Sequence, residues 1–275
     1  MSGTATMGRI GRVARTWAGL VVATMPSSTG VAAEEACTVG AADTVWVEKA
    51  IRGDEMLLVD GRLVSLASVE APRPDLAGDG RDPAALAAAR ASREALAEVV
   101  EGREMRLVDL GEDRHGRRRG HLLDAASGDW VEAGLVAAGH LRVVPGRDDR
   151  ACAAALLDAE AEAIAARRGA WATRFTPISA DGSDLAAIVG SYAVVEGRVV
   201  SVGRSGTRRF VNFGPDIRRD FAAVLNDKDL PGLARRGIDP DRLRGRTVRV
   251  RGIVEGRGAP RIVVEWPETI QLVTR

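Results

Sequence analysis

Apolar positions recur at every second place in three short runs, 45–50, 55–59 and 62–69, and a period of two predicts three strands. Asp60-Gly61, between the second and third runs, is a tight-turn signal, so the three form a meander. From residue 84 the period changes. Alanines and leucines over 84–100 fall at helical spacing behind Asp82-Pro83, an N-cap followed by a proline in the first turn. Residues 104–110 and 119–124 return to strand-like alternation around a charged turn at 112–118. Residues 130–138 and 151–168 predict two more helices, stopped by Gly139 and Gly169.

This order predicts an α+β fold, a closed five-stranded OB-type barrel with three helices, over residues 37–175. Residues 176–185 carry Pro177, Ser179, Gly182 and Ser183, a turn-rich composition that predicts a linker. Beyond it, strand patterns at 192–202, 209–213, 220–225, 247–255 and 261–265, with a short helix at 230–236, predict a second small OB-like β-barrel over 186–275.

Composition adds a compartment. Arg9, Arg12 and Arg15 precede an apolar stretch at 17–25 and small residues ending at Ala33, the order of a secretory signal peptide over residues 1–33. A cleaved leader implies a periplasmic or secreted protein; the same residues retained would make an anchor. Beyond it no apolar run approaches the roughly 18–20 residues that span a bilayer, so no membrane span is expected in the mature chain. The only two cysteines, Cys37 and Cys152, are expected to pair as a disulfide in an oxidising compartment, with two buried thiols as the alternative. Net charge is +1 and says little about partners, but its distribution says more: residues 184–275 hold seventeen basic against eleven acidic side chains.

Four segments, 50–54 (Ala-Ile-Arg-Gly-Asp), 64–72 (Val-Ser-Leu-Ala-Ser-Val-Glu-Ala-Pro), 113–117 (Asp-Arg-His-Gly-Arg) and 168–171 (Arg-Gly-Ala-Trp), stand in an order and spacing that resemble the staphylococcal-nuclease (thermonuclease) family over roughly residues 40–175. The resemblance implies a phosphodiester hydrolase in which carboxylates hold calcium, a glutamate orients water and two arginines meet the phosphate. Carried over position by position, it places metal-binding carboxylates at Asp54 and Glu70 and a catalytic arginine at Arg117, with Glu70 the remaining acid near the reacting centre. Other positions depart from the pattern. The first aspartate of the turn is Arg52, the catalytic glutamate is Arg73 and the second arginine is Ser65, which has no guanidinium for a bidentate phosphate contact. With Arg52 and Arg73 offsetting Asp54 and Glu70, local charge is near zero, so no cofactor is required and calcium is expected to bind weakly at best. Glu55 occupies the threonine position and, by strand alternation, is expected to look away from Asp54.

Nucleic-acid contacts thin out in the same way. His115 replaces the tyrosine before the Gly-Arg step, and residues 143–149 hold no aromatic on which a base could stack. The basic turn Arg114, Arg117, Arg118 and Arg119 is the candidate phosphate-binding surface. In the C-terminal half, Arg204, Arg208, Arg209, Arg218, Arg219, Arg249, Arg251 and Arg261 are interleaved with Phe210, Phe213 and Phe221, the chemistry of a single-strand-binding barrel or of a packed core with a wet face. Three readings follow: a degenerate nuclease that binds single-stranded nucleic acid or another phosphate-bearing ligand, an active calcium-dependent phosphodiesterase with a rearranged site, or an envelope module that recognises protein or glycan.

Overall fold

A computed structural model describes residues 41–74, 82–113, 115–146, 149–256 and 258–273. The expected leader, Cys37 and Arg114 lie outside the described residues.

The N-terminal part runs β1 (Ala42–Arg52), β2 (Glu55–Leu58), β3 (Leu63–Leu66), β4 (Val69–Glu70), α1 (Pro83–Val100), β5 (Glu104–Glu112), β6 (Arg118–Asp124), α2 (Val131–Ala137), β7 (Arg142–Val143) and α3 (Arg150–Ala165). Five of these strands close a barrel in the order β1-β2-β3-β6-β5, with β3 and β6 parallel and the other pairs antiparallel. The fold is α+β with a closed five-stranded OB-like barrel, as the alternation predicts. Inward residues such as Val47, Met56, Leu58, Val64, Met105 and Leu107 fill it, and Leu96 and Val100 of α1 join the same cluster. The cap of α1 is the expected one: the Asp82 side chain accepts from the Ala84 amide, with proline next in line.

Two expected elements break where the backbone has to turn. The run 62–69 divides into β3 and β4 around Ala67-Ser68, where Ser68 has a left-handed φ of 58° and β4 leaves the barrel to pair with β7. The run 192–202 divides into β9 (Tyr192–Arg198) and β10 (Ser201–Ser205).

The C-terminal part continues with β11 (Arg208–Asn212), β12 (Ala222–Asn226), α4 (Leu230–Arg235), β13 (Thr247–Glu255), β14 (Arg261–Val263) and β15 (Ile270–Leu272). Its sheet follows the order β10-β11-β12-β14-β13-β9-β8, where β8 is Ile178–Ser179 and β15 sits on β13. The strands β9 and β10 are halves of one bent segment. Between them the Val199 amide bonds the Arg246 carbonyl and the Val200 amide bonds that of Asn212. With β12 and β14 parallel, the pairing order repeats that of the N-terminal barrel. The segment read as a linker is built into this sheet, because β8 pairs in parallel with β9, and Ala180 and Leu185 are buried in its core.

The two parts meet through buried polar contacts. Arg251 on β13 and Glu160 on α3 are both fully buried and form an ion pair at 2.6 Å. Arg251 Nη1 also donates to the Val143 carbonyl at 3.0 Å and Nη2 to Gln271 Oε1 at 2.7 Å, while Glu160 Oε1 accepts from the Val143 amide at 2.6 Å. Burial opposes the charge on Arg251, but Glu160 and Tyr192 outweigh it and hold the guanidinium above its ordinary pKa. Around this pair Trp171, Phe175 and Val194 form a small apolar cluster drawn from both parts. Among the described residues no helix is long and apolar enough to cross a membrane.

Candidate functional site at the barrel rim

The site is built on the turn between β1 and β2. Gly53 makes that turn possible, since a Cβ there would fall 1.9 Å from Ser92 Oγ of α1. A glycine lets the backbone lie on the helix, and the next residue, Asp54, is thereby tucked under the rim with 5% of its surface exposed. Its Oδ2 accepts from the Ala71 amide at 3.2 Å.

Both arginines that replace acids in the nuclease-like pattern reach this carboxylate. Arg52 Nε lies 3.3 Å from Asp54 Oδ1 and Arg73 Nη2 lies 3.3 Å from Asp54 Oδ2. Arg73 Nε also lies 3.3 Å from Glu70 Oε1. The other oxygen of Glu70 is taken by Arg142, at 2.5 Å from Nη2 and 2.9 Å from Nε. On the other side, Arg52 Nη2 reaches Glu55 at 2.5 Å, Glu55 faces Arg117 at 3.8 Å, and Arg117 closes on Asp113 at 2.6 Å. Eight side chains thus alternate in sign along the rim, Asp113, Arg117, Glu55, Arg52, Asp54, Arg73, Glu70 and Arg142. The formal charge of the chain of contacts is zero.

The position of Glu55 differs from expectation. Strand alternation holds only inside a strand, and Asp54 lies in the turn between β1 and β2. Glu55, buried to 5% exposure, therefore joins Asp54 around Arg52. Ser65, opposite Glu55 on β2 and Arg119 on β6, has a buried hydroxyl with no hydrogen-bond partner. It supplies nothing that an arginine would.

This donor set does not fit calcium. A calcium ion needs six to eight oxygen ligands, and all four carboxylate oxygens of Asp54 and Glu70 already face a guanidinium. Among the described residues no three His, Cys, Asp or Glu side chains are grouped so as to hold a metal.

Arg142 escapes sequence reasoning. Its guanidinium lies over the rings of Tyr192 and Phe175, at 4.6 and 5.0 Å from their centroids, and donates to the Tyr192 carbonyl at 3.3 Å. The nearest of these partners is 33 positions away in sequence, and two of them follow the barrel's last helix. Burial pushes the Tyr192 phenol well above its usual pKa, against the pull of Arg251 and Arg142, so it stays neutral beside them. The C-terminal part therefore helps to hold the end of the rim network.

The basic turn is also partnered. Arg118 pairs with Asp109 and, at 3.4 Å, with Glu112. Burial would raise the Asp113 pKa, but hydrogen bonds from the Arg117 side chain and from the Arg117 and His115 amides hold it at about 2. A carboxyl with a depressed folded-state pKa stabilises above its unfolded value of 3.8, and that stability is lost as pH falls toward 2. Asp113→Asn is accordingly expected to lower stability at pH 7 by about 0.5–1 kcal/mol. The deficit in urea denaturation should shrink as pH falls below 3.8; a deficit unchanged with pH would contradict this origin.

In the C-terminal part the expected nucleic-acid face is largely spent on structure. Arg204 and Arg209 share Asp227, Arg249 pairs with Glu196, Arg251 with Glu160 and Arg261 with Glu255. Phe213 and Phe221 are buried against each other at 5.2 Å. They pack the core and cannot stack on a base.

Cys152 is buried on α3, and its expected partner Cys37 lies outside the described residues. No family model matches the chain, and no curated protein matches it. Fold and site together define a class, an α+β protein with a closed OB-like barrel whose rim carries an alternating arginine and carboxylate network.

Proposed function

We propose that this chain is an exported, thermonuclease-like protein with little or no nuclease activity that keeps a binding role toward phosphate-bearing ligands, single-stranded nucleic acid included. One observation supports the loss of catalysis above all others: the Asp54 carboxylate is held between Arg52 and Arg73. Phosphodiester hydrolysis needs a hard cation or equivalent positive charge at the developing phosphorane, and a nucleophilic water with a base. Here the carboxylates that would ligate the cation, and Arg117 that would meet the phosphate, are each spent on a neighbour. The retained binding role rests on the basic side chains of residues 184–275 that, among the described residues, remain unpaired with acids, in a segment of seventeen basic against eleven acidic residues. An active enzyme using Asp54, Glu70 and Arg117 would first have to break at least four of these contacts.

Purified protein incubated with denatured DNA and calcium is expected to leave the DNA intact, with and without chelator. Chelator-sensitive degradation at nanomolar protein, abolished by Asp54→Ala, would overturn the reading. Binding to a single-stranded oligonucleotide is expected to fall steeply with added salt.

A further inference from the structure

Arginines without a carboxylate partner are common among the described residues, but two of them share one concavity. At the bend between β9 and β10 a cavity of about 410 Å³ is lined by Arg198 and Arg244. Arg198 spends only its Nε, on the Gly245 carbonyl at 3.1 Å, and its Nη2 would lie 3.7 Å from a Cβ on Gly245. Among the described residues neither Arg198 nor Arg244 has a carboxylate partner, and both are exposed. The floor is apolar and closely packed. Ala180, Val199 and Phe213 are buried there, and Gly197 has no room for a Cβ, which would fall 2.5 Å from Ala180 and 2.9 Å from Phe213. Asp181, whose carboxylate accepts from Ser179 Oγ, stands in the same wall.

The volume falls in the range of small-ligand sites, which combine an apolar lining with a few placed polar groups. Two guanidiniums against the single carboxylate of Asp181 leave the concavity with a net positive charge that suits an anion, and their N–H groups match phosphate oxygens better than a single carboxylate would. We propose that this cavity binds a phosphate monoester, with Arg198 and Arg244 on the phosphate and the ester carbon on the floor made by Ala180, Val199 and Phe213. Asp181 accepts from a hydroxyl of the ligand. The monoester comes either from a free small molecule or from the terminal phosphate of a nucleic-acid strand. The site lies away from the barrel rim, so it stands or falls separately from the loss of nuclease activity.

The test is isothermal titration of the full chain with four probes: phenyl phosphate, inorganic phosphate, and a thymidine hexamer with a 5′-phosphate or a 5′-hydroxyl. Phenyl phosphate is expected to bind more tightly than inorganic phosphate, and Arg198→Ala and Arg244→Ala are each expected to weaken it by roughly tenfold or more. Arg90→Ala, on α1 of the N-terminal part, is expected to leave it unchanged. Preference for the phosphorylated hexamer over phenyl phosphate would assign the monoester to a strand end, and the reverse to a small molecule. Should both arginine variants bind phenyl phosphate like the unaltered protein, or should no probe bind at millimolar concentration, the proposal fails. Equal binding of the two hexamers, tighter than phenyl phosphate, would also overturn it, because the contact would then be to backbone diesters.

Discussion

Replacing Arg251 by alanine is expected to destabilise the protein by about 3–5 kcal/mol, because it leaves Glu160 charged, fully buried and without its counter-ion. The effect reaches further than one pair. Arg251 also donates to the Val143 carbonyl and to Gln271, and Glu160 accepts from the Val143 amide, so the substitution loosens the strand β7 that precedes α3. In urea denaturation the midpoint should fall markedly. The single transition expected of two parts sharing a buried contact should separate into two, one for each sheet. The double variant Arg251→Met with Glu160→Leu removes both charges and is expected to recover most of the loss. A midpoint unchanged in Arg251→Ala would show that the joint contributes little.

The second large effect is a gain. Arg52→Asp combined with Arg73→Glu restores acids where the nuclease-like pattern has them and removes both guanidiniums from Asp54. Without metal the variant should be less stable by roughly 1–3 kcal/mol, since buried Asp54 loses partners and gains like-charged neighbours. Calcium should now bind, with a dissociation constant of roughly 0.1–1 mM, the range of exposed extracellular sites. Stability should then depend on calcium, rising by about 1.4 kcal/mol at a tenfold excess over that constant. A thermal midpoint indifferent to calcium would mean that the two arginines are not what excludes the ion.

Much of the fold is legible in the sequence because it rests on local signals. The α1 helix shows in alanine and leucine spacing behind Asp82-Pro83, and the β2–β3 hairpin in Asp60-Gly61, where Gly61 has a φ of 87°. The stops at Gly139 and Gly169 are legible for the same reason, and both glycines adopt positive φ. What alternation cannot tell is what lies on the far side of a strand. Arg251 reads as a residue on a wet face, yet that face meets α3 and the guanidinium is fully buried. Glu55 reads as turned away, because the pattern does not show that Asp54 sits in a turn. Arg142 lies in no motif at all; it joins the rim only through Glu70, Phe175 and Tyr192, brought together by the packing of one sheet against the other. At the site itself the sequence supplies the change of charge, and the structure adds that each new guanidinium faces the carboxylate it disables.

That geometry is tested most directly by calorimetric titration of the unaltered protein with calcium at millimolar concentration, beside Asp54→Ala. With Asp54 and Glu70 engaged by Arg52, Arg73 and Arg142, the two proteins are expected to give the same featureless heats of dilution. Saturable uptake by the unaltered protein that vanishes in Asp54→Ala would contradict the account.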